Sequence, residues 1–150
     1  MKIAIGNDHT GVALKRMLVD YLSAQGHEID NLGTDDTSAS NYPVIAARVA
    51  NAVVSGQYER GILICGTGIG ISIAANKVPG VRCALCSEPV SAKLCRSHNN
   101  ANIVAMGARM IGPVMAQNIV DAFLNTDFDG GRHQTRLDLV TRIEKGESLE

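Results

Sequence analysis

Aromatic side chains are scarce in this 150-residue sequence, which has no tryptophan, two phenylalanines and three tyrosines. Proteins that hold single-stranded nucleic acid stack its bases on aromatic faces, and those that hold duplexes surround phosphates with surplus lysine and arginine. Neither resource is present here, because 14 basic side chains stand against 15 acidic ones for a net charge of −1. No stretch approaches the roughly 18 unbroken apolar residues of a membrane span, and the apolar part of the opening MKIAIGND is too short for a signal peptide. The expectation is one cytoplasmic domain, residues 1–150, that meets a small molecule and neither nucleic acid nor membrane.

Cysteine is also sparse, at positions 65, 83, 86 and 95. Cys83 and Cys86 form a C-x-x-C within VRCALCSEP, a spacing that invites a redox or zinc reading. No second ligand pair accompanies it, and both thiols fall inside an apolar, strand-like run. They read as small buried hydrophobes, as does Cys95 in the helical pattern SAKLCRSH. Cys65 differs: it ends the apolar run GILIC and is followed by three glycines within five positions, GTGIG.

What the sequence does contain is alternation. Short apolar runs at 2–5, 28–32, 61–65, 81–86 and 102–106 read as strands bounded by glycine or polar turns. Between and after them, helical patterns cover 11–25, 42–56, 69–77, 88–98, 111–124 and 132–145. Ser87 ahead of Pro89 and Asn41 ahead of Pro43 are candidate helix caps. Strand and helix in turn imply an α/β fold, a five-stranded parallel sheet with helices on both faces. Neither a repeat nor a dividing linker interrupts it.

Ligands of open parallel sheets sit beyond the carboxyl ends of the strands. The segments placed there are GNDHTG after the first strand, GTDD after the second, CGTGIG after the third, SEP after the fourth and GARMIG after the fifth. A Walker loop requires lysine and serine or threonine after its last glycine, and a dinucleotide fingerprint requires G-x-G-x-x-G; GTGIG meets neither pattern. It does suit an anion nest, in which glycines let successive peptide N–H groups converge on negative charge. The bland alternative is a tight turn without a ligand.

A thiol at the entrance of such a nest can act as nucleophile or base, with an N–H cradle for the oxyanion formed beside it. Acyl transfer through a thioester and proton abstraction next to a carbonyl through an enediolate both use that pair. The remaining polar residues favour the second. Arg132 and Arg136 in DGGRHQTR stand at i and i+4, so on a helix they share a face and can grip one phosphate or carboxylate. Asp8 and His9 follow the first strand, while His98 and Asn99 fall at a helix end.

Taken together, GNDHTG, GTDD with NYP, ILICGTGIGISIAANK, CSEPVSAKLCRSHNNANIVAMGAR and DGGRHQTRL resemble the ribose-5-phosphate isomerase B family, which also contains galactose-6-phosphate and allose-6-phosphate isomerases. The likeness runs from about residue 2 to about residue 145. It implies a Rossmann-like three-layer α/β/α sandwich and metal-free, cofactor-free interconversion of an aldose phosphate with its ketose. By the same resemblance Cys65 is the base between C1 and C2, Thr67 assists proton movement between the oxygens, and the amides of Gly66, Gly68, Ile69 and Gly70 hold the enediolate. Asp8 matches a substrate-hydroxyl ligand, His98 the residue that opens the sugar ring, and Asn99 a sugar contact. His9, Arg109, Arg132 and Arg136 match the phosphate-binding set. The resemblance further implies a homodimer with shared sites, His98, Asn99 and Arg109 arriving from the neighbouring copy.

Some family members carry a carboxylate base where Ile71 stands, and Asn7 and Thr10 replace the serine and alanine of the commoner GSDHAG. Ribose 5-phosphate is the expected substrate, with allose or galactose 6-phosphate as the alternative. A nucleotide-binding or sensing module whose glycine loop holds phosphate without chemistry is the non-enzymatic alternative.

Overall fold

Five strands form one sheet: β1 (Lys2–Asn7), β2 (Glu28–Asn31), β3 (Arg60–Cys65), β4 (Cys83–Leu85) and β5 (Ile103–Gly107). The structure, a computed structural model, describes residues 1–150. Strand order is β2-β1-β3-β5-β4 and every pairing is parallel. Six helices connect or follow the strands: α1 (Val12–Ala24), α2 (Tyr42–Val54), α3 (Ile69–Ala75), α4 (Pro89–Ser97), α5 (Pro113–Leu124) and α6 (Arg132–Glu144). None is long and apolar enough to cross a membrane.

Alternation along the strands assigns side chains to the two faces. Ile3, Ile5, Ile62, Ile64, Val104 and Met106 pack with Leu18 of α1 and Phe123 of α5. Ala4, Leu63, Cys65 and Ala105 pack on the opposite face with Val49 of α2 and Ile71 of α3. The parallel three-layer arrangement matches the expected one. Cys65 therefore points towards α2 and α3, at the last position of its strand.

Several element ends differ from the sequence expectation for identifiable reasons. The fourth strand shrinks from 81–86 to Cys83–Leu85, and side chains bond the N–H groups at its start. Asn102 Oδ1 accepts from Arg82 N at 2.9 Å, and Asn76 Oδ1 accepts from Cys83 N at 2.8 Å. Glu88, not Ser87, caps α4, its carboxylate accepting from the N–H groups of Val90 and Ser91. Asn41 does occupy the cap position of α2, but without a side-chain hydrogen bond. β1 runs on through Gly6 and Asn7, and a single 3-10 turn, His9–Gly11, precedes α1.

Chain direction places the two ends of each crossover on opposite edges of the sheet. β1 and β3 are neighbours whose outgoing connections diverge, so their carboxyl ends frame the crevice where doubly wound folds take ligands. α4 leaves the carboxyl end of β4 and returns to the amino edge about 13 Å away, nine residues at ~1.5 Å each.

Candidate active site

At the carboxyl edge, β1 delivers Asp8 and β3 delivers Cys65, both 5% exposed. Asp8 Oδ1 accepts from Thr10 N at 2.9 Å and from the Thr10 hydroxyl, which fixes the carboxylate and leaves Oδ2 for another donor. His9 and Ser40 exchange two bonds: His9 N donates to Ser40 Oγ at 2.9 Å, and Ser40 N donates to His9 Nδ1 at 3.3 Å. A peptide N–H can only donate, so Nδ1 offers its lone pair and Nε2 carries the hydrogen outward. Asn7 ties this edge to the following loop through Nδ2, which donates to the carbonyl oxygens of Asp8 and Thr34.

The glycine loop closes over the thiol. Gly68 N donates to Cys65 Sγ at 3.1 Å, aiming a peptide dipole at the sulfur. Thr67 is exposed and its hydroxyl accepts from Ile69 N at 3.2 Å. Gly68 holds φ +78°, a conformation that costs ordinary residues, and a Cβ there would lie 2.4 Å from Leu85 Cδ1 and 2.8 Å from the Met106 carbonyl carbon. Gly68→Ala is expected to lose about 1–2 kcal/mol from backbone strain alone, with the collision added, read as a lower urea midpoint. A Cβ on Gly70 would meet the Tyr42 ring at 2.7 Å, so Tyr42 lies directly against the loop. Sequence pattern did not single out Tyr42 as a site residue; its place at the start of α2, across the β1–β3 crevice, was the available signal.

Arg109 belongs to this same edge. Its N–H donates to Gly66 O at 3.0 Å, and its Cδ and the Thr10 hydroxyl would both lie 3.6 Å from a Cβ on Gly66. The resemblance grouped Arg109 with residues from a neighbouring copy; in this chain it lies beside its own glycine loop. β5 carries it to the carboxyl edge. A cavity of about 220 Å³ opens here between Thr67, Ile69, Leu85, Ser87, Gly107 and Met110.

The remaining candidates gather at the opposite edge. His98 and Asn99 end α4, where the nearly buried Arg96 braces the turn by donating to Asn100 Oδ1 at 2.9 Å and to the Ala101 carbonyl. Asp129 N donates to Ser97 O at 2.9 Å, which sets the first turn of α6, with Arg132 and Arg136, next to His98. His133 from that turn lies on His98, ring centroids 4.3 Å apart. Burial pushes the His133 pKa down, and the charges of His98, Arg132 and Arg136 add to the effect against a smaller opposing pull from Asp129. Sequence reading missed Arg96 and His133 because burial and stacking are not periodic signals.

One chain thus carries two half-sets on opposite edges: Asp8, His9, Cys65, Thr67, the loop amides and Arg109 on one, and His98, Asn99, Arg132 and Arg136 on the other. The largest cavity, about 490 Å³, is a mostly apolar recess between β4 and α6 lined by Val81, Cys83, Leu137, Val140 and Ile143, and of the two half-sets only Asn99 reaches its wall. Cys83 is not paired with Cys86. Cys86 instead interacts with Cys95, which raises its pKa along with burial, and burial pushes Cys83 up to about 12. Such thiols are poor nucleophiles.

Comparison with known proteins closes the question of kinship. The family model described as Ribose/Galactose Isomerase matches residues 3–140. The chain belongs to that family. Ribose-5-phosphate isomerase B of Escherichia coli K12 is 49% identical, over 96% of this chain and 97% of that protein. The solved ribose-5-phosphate isomerase B of Clostridium thermocellum superposes with a TM-score of 0.96 at 50% identity, covering 99% of this chain and 100% of the other. Another family member, from Mycoplasma genitalium, was solved with bound ribulose-5-phosphate; it has a TM-score of 0.91 and 40% identity, with 96% of each chain covered. The family and the fold implied by the sequence motifs are therefore both borne out.

Proposed function

We propose that the protein is a cytoplasmic, metal-independent aldose–ketose isomerase that interconverts D-ribose 5-phosphate and D-ribulose 5-phosphate as a homodimer. The observation that carries the reading is the Cys65 thiol held by the Gly68 N–H inside a glycine loop, across the β1–β3 crevice from Asp8, in a chain of this family. The relative crystallised with ribulose-5-phosphate supports the choice of substrate.

In this account the second copy's His98 and Asn99 face the thiol loop, since a chain's own His98 stands at the wrong edge. His98 protonates the ring oxygen and draws the proton from the anomeric hydroxyl, giving the open aldehyde. Cys65 takes the C2 proton and returns it at C1. Between those transfers the amides of Gly66, Gly68, Ile69 and Gly70 hold the enediolate charge, and the Thr67 hydroxyl relays the proton between its oxygens. Asp8 Oδ2 accepts from a sugar hydroxyl and Asn99 contacts the sugar. The phosphate meets His9 and Arg109 from one copy and Arg132 and Arg136 from the other.

The test is conversion of ribose 5-phosphate to ribulose 5-phosphate by purified protein in excess EDTA, with allose 6-phosphate and galactose 6-phosphate run in parallel. The highest kcat/KM is expected with ribose 5-phosphate. A higher value with a six-carbon sugar would reassign the substrate. No turnover of any, with an adenine nucleotide raising Tm more than sugar phosphates do, would instead make the protein a binding module.

A further inference from the structure

His133 is a buried, ionisable side chain to which the proposed reaction gives no part. It is 8% exposed, and its ring lies on that of His98 with planes 8° apart. With Asp129 these two histidines bring one ligating atom each within 4.8 Å, a spacing that invites a cation. The stacking argues otherwise: in-plane lone pairs on parallel rings run side by side, whereas a shared metal needs them to converge at about 2.0–2.1 Å. Arg132 and Arg136 beside them add repulsion. A neutral buried ring stacked on a half-exposed one is instead a device for fixing orientation, because a flat, packed surface leaves the outer imidazole few planes to adopt.

We propose that His133 is a positioning residue whose ring holds the His98 imidazole in the plane from which it meets the ring oxygen of a cyclic sugar phosphate. This rests on the reading of His98 as the ring opener. Asp129 and Arg96 support it from two sides, one fixing the start of α6 to the end of α4 and the other bracing the turn after His98. General acid–base steps depend on reach and angle before anything else, so a freed imidazole loses rate without losing its proton.

The experiment compares His133→Ala and His133→Phe with His98→Asn, on ribose 5-phosphate and on erythrose 4-phosphate. The latter cannot close a furanose ring because its C4 oxygen is esterified. His133→Ala is expected to lower kcat on ribose 5-phosphate roughly 10- to 100-fold with KM little changed, and to leave erythrose 4-phosphate turnover intact. His133→Phe, which keeps a flat ring, should recover most of the rate. Equal loss on both substrates, a change in KM alone, or a phenylalanine no better than alanine would overturn the proposal. So would the absence of nuclear Overhauser contacts between the two imidazoles in the wild-type protein, a measurement independent of whether the variants fold. If His98→Asn discriminates between the substrates and His133→Ala does not, only the positioning role falls. If His98→Asn fails to discriminate, the ring-opening assignment falls with it.

Discussion

Cys65→Ala is expected to lower turnover of ribose 5-phosphate by about 10²- to 10⁴-fold, the range a positioned general base contributes, while sugar-phosphate binding survives. The thiol is 5% exposed at the end of β3 and touches the loop through Gly68 N, so alanine removes a proton acceptor without opening the fold. Every group assigned to the phosphate lies elsewhere, on the β1 turn, after β5 and on α6. Binding measured by calorimetry should therefore change little, and the loss should appear in kcat. Cys65→Ser sharpens the test, since the hydroxyl preserves the shape and the bond from Gly68 but is a far weaker acid than a thiol. It is expected to be nearly as inactive as alanine. Retained turnover in either variant would remove Cys65 from the base role, and Ile71, a fully buried hydrocarbon, offers no substitute.

His98→Asn is expected to cost a comparable about 10²- to 10⁴-fold on ribose 5-phosphate and little on erythrose 4-phosphate. Only the cyclic substrate needs its ring opened, so a selective loss separates this step from proton transfer at carbon. An equal loss on both would assign His98 to the common chemistry or to structure. Asparagine keeps a polar group of similar reach, and the end of α4 is independently held by Arg96, whose guanidinium binds the Ala101 carbonyl and Asn100 Oδ1. The variant is therefore expected to keep its fold, and circular dichroism checks it.

The sheet was legible from sequence because its central strands are continuous apolar runs: KIAI, GILIC and NIVAM are buried on both faces and bounded by polar turns or glycine. The edge strand β4 was read too long, since VRCALC is apolar apart from Arg82, while Asn76 and Asn102 bond its first N–H groups from a distance. Glu88 was missed as a cap because Ser87 is the commoner residue type for that task, and only the built carboxylate shows which side chain reaches the free N–H groups. The thiol, the glycine loop and the Asp8–His9 turn follow strand ends and so were found by position. Motif membership says nothing of edges, whereas chain direction through β5 places Arg109 beside the glycine loop of its own chain. His133 lay one residue from Arg132 in the quoted motif, and only its stacking on His98 distinguishes it from its neighbours.

The central claim is that a working site joins the carboxyl edge of one copy to the amino edge of another. Coexpression of Cys65→Ala and His98→Asn chains, each inactive alone, tests it most directly. A mixed dimer places both substitutions in one site and leaves the other intact, so random pairing should restore roughly a quarter of wild-type activity on ribose 5-phosphate. Activity no greater than that of the two parents, in samples shown to contain mixed dimers, would contradict a shared site.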